Sequence, residues 1–184
     1  MKIKRLTKEQ EAKIEEYRNR YFDFATNCEP ADRHRAEAAA RKMAEIAGIK
    51  ISSIEWVESP KQGDSLRDSL RDSLWDSLWD SLWDSLRDSL WDSLRGSLRD
   101  SLWGSLWASL SDSLSDTGWL AFHSFCAEEL KIKIDDSTHE KLRLHNEIVA
   151  SCFAIWIVPG TIILCERPKY VEIIDGKLVG IEWR

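Results

Sequence analysis

Few side chains in this 184-residue chain combine the type and spacing that chemistry needs. His123 and Cys126 stand three apart, so a helix would place an imidazole beside a thiol, as in a nucleophile and its base. A packed thiol next to a half-exposed imidazole is the simpler reading. Glu166-Arg167 precedes Pro168 and reads as a loop ion pair that fixes the exit of a strand. His139 and His145 lie six apart, on different faces of a helix. No zinc-ligand spacing joins the histidines to Cys28, Cys126, Cys152 or Cys165. The eight glycines are dispersed, so no phosphate-cradling loop is present. An enzyme reading would gather His123, His145, Glu166 and Arg167 near the C-terminus, with no substrate to offer, and it ranks last. The expectation is therefore no catalytic residue, no metal, no cofactor and no small-molecule substrate.

The residues that stand out are aromatic and charged, and a repeat places them. From Asp64 to Ser115 the chain reads as thirteen tetrapeptides of the form Asp-Ser-Leu-(Arg/Trp), with Gly96, Gly104 and Ala108 in the Asp position. The fourth position carries Trp75, Trp79, Trp83, Trp91, Trp103 and Trp107, and Arg67, Arg71, Arg87, Arg95 and Arg99. Large exposed aromatic patches mark interfaces, so these eleven residues form the candidate interaction surface. The alternative is mutual shielding, Arg stacked over Trp. The Asp run could bind cations. Neighbouring carboxylates on a stacked ribbon, however, lie about 5 Å apart, and capping of turns is the better use for them.

A fixed period constrains the backbone that carries it. On a helix each repeat drifts by about 40°, and the Leu stripe circles the axis in roughly nine repeats, so no flat partner could cover thirteen. A single strand of that length would run about 170 Å. A wound β-ribbon gives every repeat one environment, with Leu inside, Asp at the corners and the fourth position facing solvent. Column arithmetic leaves twelve and sixteen residues per turn open; sixteen is preferred by analogy with pentapeptide-repeat solenoids. The expected fold class is mixed α+β: a tetrapeptide-repeat β-solenoid at 64–117, capped by N-terminal helices with a short strand at 1–63 and by a C-terminal α/β cap at 118–184. One long helical repeat is the alternative.

The flanks are conventional. Thr7 and Gln10 form a capping box before a helix over 8–26. Pro30 opens a second helix, which Gly48 ends. A strand follows up to Val57, and Ser59 to Gly63 reads as a turn. Beyond the repeats come a helix at 118–130, a helix from the Ser137/Glu140 box to about Cys152, strands at 154–158 and 161–165, and a hairpin across Asp175-Gly176.

Glu29-Pro30-Ala31-Asp32-Arg33, Ala36-Glu37-Ala38-Ala39, Trp56-Val57-Glu58-Ser59-Pro60, Gly118-Trp119-Leu120-Ala121-Phe122 and Cys165-Glu166-Arg167-Pro168 together resemble an uncharacterised bacterial domain family with Trp-Asp-Ser-Val-type tetrapeptide repeats. The resemblance spans nearly the whole chain. Relatives often carry Val where this chain has Leu, and many continue past the Glu-Arg-Pro segment with a glycine-rich extension. The resemblance implies extent and order but no activity.

Charge and composition bound the partners. The segment 64–116 holds eleven Asp and five Arg, which accounts for the whole net charge of −6. An acidic middle disfavours direct contact with a phosphate backbone and permits a basic partner. The opening Met1-Lys2-Ile3-Lys4-Arg5 is not a signal peptide, and the apolar run Cys152 to Val158 is too short to span a bilayer. Four scattered cysteines suit the cytoplasm. The reading is a non-catalytic protein-interaction or self-assembly module, with a protein partner or a second copy and neither nucleic acid nor membrane. Acidic mimicry of DNA and glycan binding by Trp stacking are the alternatives.

Overall fold

The computed structural model describes residues 3–70, 86, 93–94, 96–107, 115–175 and 177–184. Along them run α1 (Lys8–Thr26), α2 (Arg33–Ile46), β1 (Ile51–Val57), α3 (Pro60–Ser69), α4 (Gly96–Trp107), α5 (Ser115–Glu128), α6 (Asp136–Val149), β2 (Ala154–Val158), β3 (Gly160–Cys165), β4 (Tyr170–Ile174) and β5 (Lys177–Glu182). The chain divides into two compact units, Met1–Asp23 with Asp80–Leu142, and Phe24–Trp79 with Arg143–Arg184. No helix among the described residues is long and apolar enough to cross a membrane.

The second unit is built on a sheet. β3 pairs parallel with β1 and antiparallel with β2, in the order β1-β3-β2. The turn between β2 and β3 uses Gly160 at φ +78°, a left-handed conformation that suits a residue without Cβ. Side chains alternate along a strand, so the two faces carry different sets. Ile155, Ile157, Ile162 and Leu164 pack with Ala36, Ala39, Ala40, Met43 and Ala44 of α2 and with Leu144 and Ile148 of α6. The small alanines let that helix sit close. Trp156, Val158, Ile163 and Cys165 cluster on the other face with Val57 and Leu66. There Gly63 of α3 lies so near the Trp156 ring that a Cβ would fall 2.5 Å from it.

The first unit is helical. Tyr17 and Tyr21 of α1 are buried. The Tyr17 ring meets Phe125 edge-on at 5.4 Å, and its hydroxyl donates to Glu128 at 2.6 Å. The Tyr21 hydroxyl donates to Ser124 Oγ at 2.7 Å. The Thr7/Gln10 capping box forms as the sequence indicates, with reciprocal bonds of 3.0 and 3.2 Å. At α6 the cap differs: Asp135 rather than Ser137 accepts a bond, from the Thr138 N–H at 2.9 Å.

Among the described residues the repeat forms no β-solenoid, contrary to expectation. Within Pro60–Ser69 and Gly96–Trp107 the tetrapeptides are α-helical. The strands among the described residues make one sheet of three and one of two, too few for a stacked coil. Nor is there one long helix, because Ser93 lies in a turn and Leu94 makes an isolated parallel bridge with Ile3. The drift argument fails because it assumed one helix through all thirteen repeats. Over the three repeats of α4 the Leu stripe turns by only about 80°, which one apolar face can hold. Leu102 and Leu106 are buried and Leu98 is half-buried. The polar positions suit a helix too. Ser65 Oγ donates to the Lys61 carbonyl at 2.9 Å and Ser69 Oγ to the Leu66 carbonyl at 2.7 Å, the back-bonding open to serine inside helices. Arg67 pairs with Asp64 three residues earlier at 2.9 Å, a helical spacing. The turn read at Ser59–Gly63 is the start of α3: Ser59 is the N-cap, Pro60 opens the first turn, and Gln62 N–H donates to Ser59 Oγ at 3.4 Å.

Candidate functional site

The eleven sequence-selected surface residues fare unevenly. Trp75, Trp79, Trp83, Trp91, Arg71, Arg87 and Arg95 lie outside the described residues, and Trp107 is described by its backbone alone. Trp103 is half-buried, with its ring edge-on to Phe122 at 5.2 Å. Arg67 pairs with Asp64 and with Asp68 at 3.0 Å, and Arg99 with Asp100 at 3.0 Å. The helical backbone thus turns one indole onto a neighbouring helix and ties two guanidinium groups to acids of the repeat itself.

The residues chosen for possible chemistry serve packing. His123 is buried, not half-exposed, with Trp119 at 4.2 Å and Phe122 at 5.2 Å between ring centres. Burial pushes its pKa down to about 3, and burial pushes the Cys126 thiol up. A neutral imidazole and a protonated thiol are the opposite of an activated pair. His145 belongs to the other unit and is held neutral by burial, with its pKa lowered to about 4. His139 is exposed.

Glu166 takes Arg33 as its partner. Arg33 Nε donates to Glu166 Oε1 at 2.7 Å, and the Ala31 N–H donates to Oε2 at 3.3 Å. The Glu166 N–H continues the β1 pairing by donating to the Val57 carbonyl at 2.8 Å. Arg33 also lies over the Trp56 ring at 4.8 Å, and the Trp56 indole N–H donates to Glu37 at 2.8 Å. Arg167 donates to the Ala150 carbonyl, just past the last turn of α6, where a cation meets the negative end of the helix. Desolvation lowers the Arg167 pKa, and burial pushes the neighbouring Cys152 up to about 12. The cluster fastens the exit of β3 to the ends of α2 and α6, and its groups are engaged in doing so.

In the helical unit, Lys4, Arg5, Leu6, Glu11, Ile14, Leu98, Ser101 and Leu102 line a cleft of about 360 Å³. Among the described residues no group of three His, Cys, Asp or Glu could hold a metal ion.

Four of the exposed large apolar side chains among the described residues lie on one hairpin that the sequence reading does not single out. β4 and β5 pair antiparallel as a separate two-stranded sheet. Tyr170, Ile173, Ile174 and Val179 are 55%, 43%, 53% and 52% exposed. Its base is anchored: Lys169 N–H donates to the Glu182 carbonyl at 2.8 Å, and Trp183 meets Phe153 edge-on at 4.7 Å. The signal was available, since Tyr-Val-Glu-Ile-Ile and Leu-Val-Gly-Ile follow β3 after the apolar strands that fill the core. No family model, curated protein or solved structure matches this chain.

Proposed function

We propose that the chain is a non-catalytic protein-interaction module that docks its partner through the β4–β5 hairpin. The observation that carries this reading is the set of four large apolar side chains, each about half exposed, on a ribbon that has two strands among the described residues. Such ribbons are marginal alone; Tyr170 and Ile174 lie on one face and Ile173 on the other, so both faces offer apolar side chains to a partner. The engagement of His123, Cys126, Glu166 and Arg167 in packing favours it over an enzyme. The Arg67 and Arg99 pairs with repeat aspartates weigh against an acidic mimic of DNA, which needs a field of one sign. Trp103 lying edge-on to Phe122 weighs against a flat glycan platform. Four cysteines without disulfides, three of them buried, support a cytoplasmic setting.

A second reading keeps the contact on the tryptophans of the repeat, favoured by their number. The test compares two variants of the full chain in affinity purification from its own host. One carries Ile174→Lys with Val179→Lys; the other carries Trp75, Trp79, Trp83 and Trp91 changed to Ala. Loss of the partner with the hairpin variant, at unchanged thermal stability, is the expected result. Loss with the tryptophan variant alone overturns the hairpin in favour of the repeat.

A further inference from the structure

We infer that the cleft of the helical unit binds a free amino acid with a branched aliphatic side chain. The hairpin takes no part in it, so the two readings stand or fall separately. Three elements of the one unit build the cleft. Ile3 makes a parallel bridge with Leu94, and its N–H donates to the Ser93 carbonyl at 3.0 Å. That contact lays the segment ahead of the Thr7/Gln10 cap beside the entry to α4. The segment brings Lys4, Arg5 and Leu6 to the cleft. α1 adds Glu11 and Ile14, three apart on one helix face, and α4 adds Leu98, Ser101 and Leu102 at the same kind of spacing.

Burial sorts these residues into a floor and a rim. Leu102 is buried and Leu6, Ile14 and Leu98 are half-buried, whereas Lys4, Arg5, Glu11 and Ser101 are exposed. An aliphatic floor therefore lies under a charged rim. The rim carries both signs, and they do not neutralise each other: among the described residues Lys4, Arg5 and Glu11 form no ion pair. Elsewhere in the unit neighbouring opposite charges do close up, as Lys13 with Glu16 at 2.9 Å, Arg18 with Glu15 at 3.3 Å and Arg20 with Glu128 at 3.6 Å. Two cations and one carboxylate held apart over an apolar floor complement a molecule with a carboxylate, an ammonium group and an aliphatic side chain on one carbon. Lys4 and Arg5 take its carboxylate, Glu11 its ammonium group, and the floor its side chain. A simple anion would leave Glu11 opposed, and a simple amine would leave two cations opposed. Ligand clefts run from about 300 to 1,000 Å³. At about 360 Å³ this one lies at the small end, which suits an amino acid rather than a nucleotide. No aromatic ring lines it among the described residues, and four aliphatic side chains favour a leucine-like ligand.

The experiment is a titration of the isotope-labelled full chain with L-leucine, read from its backbone amide resonances by NMR. Saturable shifts at Arg5, Glu11 and Ser101 with a Kd of about 1 mM are expected, because exposed ion pairs are individually weak. Isocaproate lacks the ammonium group and isoamylamine lacks the carboxylate; each should bind about fivefold more weakly or worse. Glu11→Gln should erase the preference for leucine over isocaproate. Lys4→Gln combined with Arg5→Gln should erase the preference over isoamylamine. All three positions are exposed, so these variants leave the core untouched. No saturable shift up to about 20 mM, equal affinity for leucine and either analogue, or variants that keep both preferences overturns the assignment. Saturable shifts confined to residues away from the cleft overturn it as well.

Discussion

β3 reads Gly-Thr-Ile-Ile-Leu-Cys and β5 reads Lys-Leu-Val-Gly-Ile-Glu. Each carries three large aliphatic side chains, and each pairs with an apolar neighbour, β2 or β4. β3 lies in the middle of its sheet, between α2 on one face and α3 on the other, and Ile162, Ile163, Leu164 and Cys165 are all fully buried. Among the described residues β5 has a strand on one side only, and Val179 is half exposed. Strand content therefore does not decide coverage. The charged residue at each end of β5 and the bulge within it mark a strand that stays soluble at an edge. A strand with neither is buried on both faces.

The sharpest way to break that comparison is to truncate one aliphatic side chain in each sheet. Leu164→Ala empties a fully enclosed site and should cost about 2–5 kcal/mol. Ile174→Ala removes a half-exposed side chain and should stay within about 0.5 kcal/mol. Urea unfolding followed by tryptophan fluorescence, at concentrations low enough to keep the chain monomeric, measures both. Equal losses would mean that something in solution covers the hairpin as thoroughly as α2 covers β3.

Acid separates covered from uncovered groups by a second route. His145 and His123 are buried and neutral, with pKa values lowered to about 4 and about 3 from an ordinary 6.5. The unfolded chain takes up protons on both below pH 6.5, and the folded chain does not. Stability is therefore full above pH 6.5 and falls as the pH drops, by about 1.4 kcal/mol per pH unit per histidine. For His145 the fall ends near pH 4 and for His123 near pH 3. His145→Phe keeps an apolar ring and should halve the slope between pH 6 and 4.5 in urea titrations. A slope unchanged in that variant would mean that His145 is accessible to protons in the folded state.

How much of this was legible in the sequence depended on what each signal assumed. The helix at 8–26 and the strands at 154–158 and 161–165 follow from caps and apolar runs, which act over a few residues; alanine spacing finds the second helix too, but it starts at Arg33 behind an Asp32 N-cap rather than at Pro30. The repeat misleads because a period read through all thirteen units leaves no place for a break. Two local signals point to a helix instead: the Asp64-to-Arg67 spacing, and Ser59-Pro60-Lys61-Gln62, which has the residues of a helix start. Adjacency pairs Glu166 with Arg167, whereas a long-range contact brings Arg33 to it. No local pattern reveals which side of a loop faces the end of α2. The sequence reads as a hairpin at 170–183, but only the structure shows that α2 and α3 pack on the other sheet.

The smallest effect, and the one that changes sign, concerns glycines in two helices of the repeat region. Gly63 in α3 meets the Trp156 ring at 2.5 Å from an ideal Cβ, whereas Gly104 in α4 meets nothing within 4 Å. Alanine in a helix interior gains about 1 kcal/mol over glycine. At Gly104 nothing opposes that gain, and the chain itself places Ala108 at the next equivalent position. Gly104→Ala should therefore stabilise by about 0.5–1 kcal/mol. At Gly63 the added methyl must push the indole off its strand, an overpacking cost of about 1–3 kcal/mol that outweighs the gain. Gly63→Ala should be destabilising by about 1 kcal/mol net. Thermal unfolding of the two variants side by side reads the signs directly. Stabilisation at both positions would mean that α3 does not press on Trp156, and the face of the sheet built on Trp156, Val158 and Ile163 would then be as open as the hairpin.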